Sequence, residues 1–279
     1  MRLALFTRML EDCCLEDVIE IAANVGYDGI ELMGRAPHLP PDTPKARVRE
    51  LAHRIADRGL SVPCLGAYAG GFSQLEESDR RQQLEQLERL TEMAVAFKCP
   101  LVRIWAGGPE PERATAAHWQ RAAEGLQRSA EIAAACGVNL GLELHYCYLQ
   151  QDVPGVLHLL ELVDRPNLGV IYDPANLYVA GEDYGPAIVC RLGRQILHVH
   201  VKDSVRADAP APGVAGPPSY FYRPQPLGQG RVDYGPVLAA LRDIGYTGYL
   251  SAETRLPEGD NRSLAEHERL AMARLVAGE

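Results

Sequence analysis

Apolar residues recur along this chain in two alternating patterns. Short, nearly continuous runs rich in Leu, Ile and Val are each followed by a longer stretch in which apolar positions return every three or four residues. The first pattern fits strands buried on both faces and the second fits amphipathic helices, so their alternation predicts βα units and a parallel sheet. The runs at 3–7, 29–33, 61–67, 101–106, 139–146, 168–173, 196–202 and 249–254 give eight strands. Helical patterns follow at 15–25, 44–58, 80–97, 114–135, 153–163, 186–194, 234–244 and 263–276, again eight. In the third helix Leu84, Leu87, Leu90 and Met93 form a stripe that Ala94 and Phe97 continue, while charges fill the other face. Gly26, Gly59 and Gly137 stand just past three helices, where a left-handed C-cap belongs. Eight units closing on themselves predict an α/β fold, a (β/α)8 TIM barrel, as a single domain over 1–279.

Length and composition agree with that prediction. The 279 residues are close to the roughly 250 of such a barrel. With 47% hydrophobic and 23% charged residues, the chain can bury a substantial core. Its formal net charge of -9 opposes the phosphate neutralisation on which nucleic-acid binding depends, so a small-molecule substrate is expected and a nucleic acid is not. The first apolar run is broken by Arg8 and followed by Glu11 and Asp12, which suits neither a signal peptide nor a membrane span; a soluble cytoplasmic protein is expected. Seven cysteines without a CxxC pair support neither a disulfide framework nor a cysteine zinc site.

One segment departs from the alternation. Residues 207–226 are rich in Pro, Ala and Gly yet carry Tyr220, Phe221 and Tyr222. They fall between the seventh strand and its helix, on the side where βα loops build active sites, so the long loop 204–227 is expected to be an ordered lid over a pocket.

Charged residues at strand ends carry the chemistry. Ionisable groups inside a parallel barrel are costly unless they face the mouth or find partners. The fifth strand ends with Glu143 and His145, the sixth with Asp173 and the eighth with Glu253, while the seventh places His198, His200 and Lys202 on one side by two-residue alternation. Four successive strands thus deliver Glu143, Asp173, His200 and Glu253 to one end. Three carboxylates in a small cavity repel one another unless a cation neutralises them, so one divalent metal is expected. The donor set suits Mn²⁺ best, with Mg²⁺, Co²⁺ and Zn²⁺ as alternatives. His198, deeper in the barrel, reads equally as a core histidine and as a ligand. Lys202 reads equally as a polariser of a substrate oxygen and as an ion-pair partner of the site carboxylates. His145 is expected in the pocket, and Glu31, Arg103 and Trp105 are candidates for substrate hydroxyls and ring faces.

The segments YDGIEL (27–32), LGLELH (140–145), IYDPAN (171–176), HVHVKD (198–203) and the run from 227 to 254 resemble the xylose-isomerase-like barrel superfamily, in its sugar phosphate isomerase/epimerase branch. The resemblance implies that Glu143, Asp173, His200 and Glu253 hold the metal and that Glu143 and Glu253 are the catalytic acid/base pair. It also implies that Arg206, six residues beyond the metal histidine, supports substrate oxygens or the strand-eight glutamate. Ketose epimerases of the family carry a histidine where this chain has Asn176, a departure from a strict ketose 3-epimerase. Barrels of the family are dimers or tetramers, which implies a homodimer or homotetramer here.

The implied chemistry is that of an isomerase or epimerase of a small polyhydroxylated carbonyl compound. A metal that polarises a carbonyl and a neighbouring hydroxyl acidifies the adjacent C–H and stabilises an enediolate, with one glutamate removing the proton and the other returning it. A dehydratase acting on an inosose- or dehydroshikimate-type substrate shares the first step and is the alternative. The DNA-cleaving branch of the superfamily requires a basic groove and more histidines, which the charge of -9 and only eight histidines oppose.

Overall fold

Each of the eight runs read as strands pairs in parallel with its neighbours. The computed structural model describes residues 1–208, 221–257 and 259–278. Its barrel strands are β1 (Arg2–Phe6), β2 (Gly29–Gly34), β3 (Leu65–Ala67), β4 (Leu101–Ile104), β5 (Asn139–Glu143), β6 (Leu168–Tyr172) and β7 (Ile196–Val201). After β8 (Asp203–Arg206) and β9 (Tyr222–Gln225), which pair only with each other, β10 (Tyr249–Ala252) completes a closed barrel in the order β1-β10-β7-β6-β5-β4-β3-β2. The helices among the described residues are α1 (Leu15–Val25), α2 (Lys45–Asp57), α3 (Glu77–Ala96), α4 (Ala116–Ala135), α5 (Val153–Val163), α6 (Pro174–Ala180), α7 (Pro186–Leu192), α8 (Tyr234–Asp243) and α9 (Asn261–Ala277). None of them is long and apolar enough to cross a membrane.

The core follows from the two periods. Leu87, Leu90, Met93 and Ala94 of α3 are buried against the barrel, as their stripe requires. Gly26 closes α1 at φ +88°, and its N–H reaches Ala22 O and Ala23 O, a left-handed cap that suits a residue without a Cβ. Inside the barrel a small apolar cluster of Cys64, Leu101 and Ile171 is separate from the large core under the helices. Toward the strand C-termini the interior turns polar: Glu31, Arg103, Glu143 and His200 meet there from four strands.

Three elements differ from the expectation. The third strand is confined to Leu65–Ala67, because Pro63 has no N–H for the ladder and only Ser61 bridges Gly29 before it. A short helix, α6, begins directly after Asp173, whose carboxylate caps it by accepting the Asn176 N–H at 2.9 Å with Pro174 in the first turn. The long loop after the seventh strand is in part a β-ribbon: Asp203↔Gln225 and Arg206↔Tyr222 pair antiparallel. The centre of the expected lid, 209–220, lies outside the described residues.

Candidate active site

The mouth of the barrel opens into a cavity of about 460 Å³. Glu143 from β5 and Glu253 after β10 line it, and with the fully buried Asp173 after β6 and His200 from β7 each offers one donor atom, all within 4.8 Å of one another. His200 Nδ1 lies 3.1 Å from Glu143 Oε1, 3.3 Å from Glu253 Oε2 and 3.6 Å from Asp173 Oδ2. Its other nitrogen, Nε2, donates to Glu31 Oε1 at 3.2 Å, and His198 Nε2 donates to Glu31 Oε2 at 3.0 Å. With Nε2 committed to Glu31, Nδ1 is the atom that faces the three carboxylates, the arrangement by which a buried carboxylate orients a ligating imidazole.

Counter-charges hold two of the carboxylates, Glu143 and Asp173, ionised. Burial opposes ionisation of Glu143, but the Arg103 guanidinium and His200 outweigh it and keep its carboxyl well below the usual range. Arg103 NH1 lies 2.9 Å from Glu143 Oε2, and Ala67 O accepts from both Nε and NH2 of the same side chain. Asp173 is likewise lowered against its burial, by Lys202 and His200. Lys202 Nζ stands 2.8 Å from Asp173 Oδ2 and 2.7 Å from Glu253 Oε2. Burial pushes the Lys202 and His200 pKa values down, yet the surrounding carboxylates raise both well above their ordinary values.

This donor set fits a divalent cation. Three hard carboxylate oxygens and one imidazole nitrogen converge from four strands at the catalytic end of a barrel, and two protein cations lie among them. A second group, Glu31 with His198 and His200, also lies close enough to hold an ion. Its carboxylate is already bonded to both imidazoles, which suits a supporting layer beneath the first.

The remaining expected residues fall into three sets. His145 and Trp105 line the cavity, the former with its ring against Tyr146 and Tyr148, the latter packed 4.8 Å from Tyr148. Arg103, Lys202 and Asn176 also reach the cavity wall but are bonded to the carboxylates: Asn176 Nδ2 donates to Asp173 Oδ2 and to Leu144 O, both at 2.9 Å. Glu31 and Arg206 stand elsewhere. Glu31, expected to meet substrate, is fully buried beneath the cavity with both oxygens engaged by histidines. Arg206, expected at substrate oxygens or the strand-eight glutamate, is exposed, and its Nε donates to Tyr178 O at 2.8 Å. The ribbon carries it away from the mouth to the C-terminus of α6, where free carbonyls attract a cation.

Among the cavity residues that the sequence reading passed over are Arg8, Arg35, Tyr68, Tyr148 and Arg255, while Tyr222 of the expected lid does line the cavity. Arg8, Arg35 and Arg255 each stand one to three residues past a barrel strand, and that placement was the available signal.

Residues 19–275 match the xylose isomerase-like TIM barrel family. The protein belongs to that family. Among curated relatives of this xylose isomerase-like barrel, fructoselysine 3-epimerase of Escherichia coli O157:H7 is 26% identical over 263 residues, covering 91% of this chain and 90% of the relative. The 3-dehydroshikimate dehydratase of Bacillus anthracis is 26% identical over 238 residues, 82% of each. The chain is thus an enzyme of the isomerase/epimerase or dehydratase kind. Among solved structures, the IOLI protein with a bound zinc atom superposes with a TM-score of 0.83 at 19% identity over 99% of this chain and 98% of the other.

Proposed function

We propose that this barrel is a divalent-metal-dependent isomerase or epimerase of a small polyhydroxylated carbonyl compound. The observation that carries the reading is the convergence of Glu143, Asp173, His200 and Glu253 within 4.8 Å, with two glutamates in the set. A divalent ion held by these four residues, Mn²⁺ by the oxygen-rich donor set, would polarise a carbonyl and its neighbouring hydroxyl. The glutamates act on the carbon-bound proton: Glu143, kept ionised by Arg103, is placed to take it, and Glu253, bridged to Lys202 and Arg8, to return one at the other face or the adjacent carbon. Asn176 and Lys202 fix the positions of these carboxylates.

The walls support a hydroxylated substrate. Aromatic rings of Trp105, Tyr148 and Tyr222 offer faces to a sugar-like ring or chain. Gln150 Nε2, Ser204 Oγ and Tyr68 Oη, all on cavity-lining residues, are buried without a hydrogen-bond partner among the described residues. A hydroxylated ligand would satisfy such groups.

A dehydratase is the second reading, favoured by the likeness to the dehydroshikimate dehydratase and by Asn176 at the position of the epimerases' histidine. Incubation of Mn²⁺-loaded protein in D2O with ketoses, inososes and hydroxy-keto acids separates the two by NMR. Deuterium next to the carbonyl, with or without a new epimer, is the expected result. New vinylic signals with loss of water would instead establish the dehydratase, and neither signal with any substrate would reject both.

A further inference from the structure

The cavity is electrostatically two-sided. Among the described residues that line it, five are basic and three are carboxylates, although the chain as a whole carries a net charge of -9. Two of the basic residues, Arg103 and Lys202, are bonded to the site carboxylates. The other three are Arg8, Arg35 and Arg255, from the segments after β1, β2 and β10. These strands are consecutive around the barrel, so the three guanidiniums share one sector of the mouth. The opposite sector, beyond β5 and β4, carries the rings of His145, Tyr148 and Trp105.

Protein carboxylates compensate this sector unevenly: among the described residues Arg255 has two, whereas Arg35 and Arg8 each share one with another cation. Glu11 lies 3.3 Å from Arg255 and 3.9 Å from Arg35, and the exposed Asp12 lies 2.9 Å from Arg255. Arg8 meets only Glu253 in an ion pair among the described residues, at 3.5 Å, and Glu253 is already held by Lys202 at 2.7 Å. Arg35 stacks on the Tyr68 ring at 4.0 Å, and the Tyr68 hydroxyl, buried and unpartnered among the described residues, adds a donor beside it. Cations gathered in one partly desolvated sector repel one another, and a neutral polyol gives them no compensation. A phosphate or carboxylate does, through bidentate guanidinium bonds.

We infer that the substrate bears an anionic group, a phosphate ester or a carboxylate, at the end remote from its carbonyl, and that Arg8 receives it with Arg35 and Arg255 at the rim. This rests on the reading that the carbonyl end sits at the four-residue cluster. The substrate therefore lies across the mouth, its carbonyl at the floor and its charge toward β1 and β2, and Arg8 separates charged from neutral polyols.

Calorimetric titration with D-fructose, D-fructose 6-phosphate and D-fructuronate tests this, because the three share a ketose end and differ at the far carbon. At least one charged ligand is expected to bind Mn²⁺-loaded protein about tenfold or more tightly than fructose, the increment of a charged hydrogen-bonded pair. Preference for the phosphate or for the uronate names the anion. Arg8→Gln is expected to remove most of the ratio between charged-ligand and fructose affinity measured within that variant, and Arg35→Gln a smaller part. Equal affinity for all three ligands, including no measurable binding by any, overturns the inference. So does a charge preference that survives the Arg8→Gln, Arg35→Gln double substitution, or a loss shared equally by fructose, which would mark Arg8 as a mere support for Glu253. The same titrations on metal-free protein separate the two readings. Fructose binding that needs the metal but shows no charge preference sinks only the arginine sector; a charge preference with metal-independent fructose binding sinks only the metal site.

Discussion

A methyl group on Gly230 would stand 2.0 Å from Asp203 Oδ1. The two residues are that close because the Asp203 carboxylate gathers five backbone N–H groups, those of Ser204, Gly228, Gly230, Arg231 and Val232, at 2.8 to 3.1 Å. This one buried carboxyl group thus ties the start of the ribbon, directly after Lys202, to the turn that follows it. Asp203→Ala leaves five donors without their acceptor and is expected to lower stability by at least about 3 kcal/mol, since each orphaned buried group costs about 1–3 kcal/mol. Asp203→Asn keeps one oxygen and costs less, and Gly230→Ala is destabilising because the new methyl meets a carboxylate that five N–H groups hold in place, with Ser204 N at 2.7 Å behind it. Urea denaturation ranks the three; an Asp203→Ala protein as stable as wild type would refute the account.

The same pair shows what the sequence made legible and what it did not. HVHVKD and the run from 227 to 254 stood out as separate segments, and the barrel itself was readable because its strands are buried on both faces and so spell continuous apolar runs. That Asp203 and Gly230 complete each other was not readable, since 27 residues separate them. The ribbon was hidden for a related reason: Pro224 sits within β9, and a proline-rich stretch carries no alternation to identify an edge pair. Helix α6 has only seven residues, too few for a 3.6-residue period to emerge, and Asp173 drew attention as a ligand rather than as the cap it also is.

Depth was the other blind spot. Two-residue alternation places Glu31 inside the barrel but does not say how far down, and it lies a layer below the mouth, under His200. The resemblance likewise set Arg206 near the site, whereas its guanidinium turns to the Tyr178 carbonyl at the end of α6. Arg8, Arg35 and Arg255 went unread because single arginines past strands are indistinguishable from solvated surface until the barrel order puts them side by side.

Glu31 bonds to His200 Nε2 at 3.2 Å and leaves Nδ1 toward the carboxylates. Glu31→Gln is isosteric but loses the charge and one acceptor, and can no longer hold both His198 and His200. Affinity for Mn²⁺ is expected to fall about 10–100-fold, the usual effect of removing a supporting carboxylate. Competition titration with a metal chelator on the folded variant measures it. An unchanged affinity would place Glu31 in a purely structural role.

Glu143 and His200 should separate by phenotype. His200→Ala removes the sole imidazole of the four-residue set and is expected to abolish most metal binding while circular dichroism stays unchanged. Glu143→Gln keeps an oxygen for the metal but removes the base, so turnover is expected to fall about 10²–10⁴-fold with metal still measurable. Full activity in Glu143→Gln would exclude Glu143 as the base, and stoichiometric metal in His200→Ala would refute the site.

Beneath the ribbon's return, Glu268 of α9 supplies a pH dependence. Its Oε1 accepts the Leu227 N–H at 2.8 Å and its Oε2 the Thr254 hydroxyl at 3.1 Å, next to Glu253. Burial pushes its carboxyl up from 4.5 to about 7; the two hydrogen bonds oppose that rise and the charge of Asp203 adds to it. A carboxylate whose folded pKa exceeds its unfolded one binds more protons in the native state between those values, so stability falls as pH rises. The contribution is present in full below about 4.5 and lost by about 7, and the shift corresponds to about 3 kcal/mol. Glu268→Gln cannot ionise and is expected to match wild type near pH 4.5 and to exceed it at pH 8 by about that amount. Urea midpoints of the two proteins across this range decide the matter: curves that converge toward acid support the assignment, and parallel curves remove Glu268 as their cause.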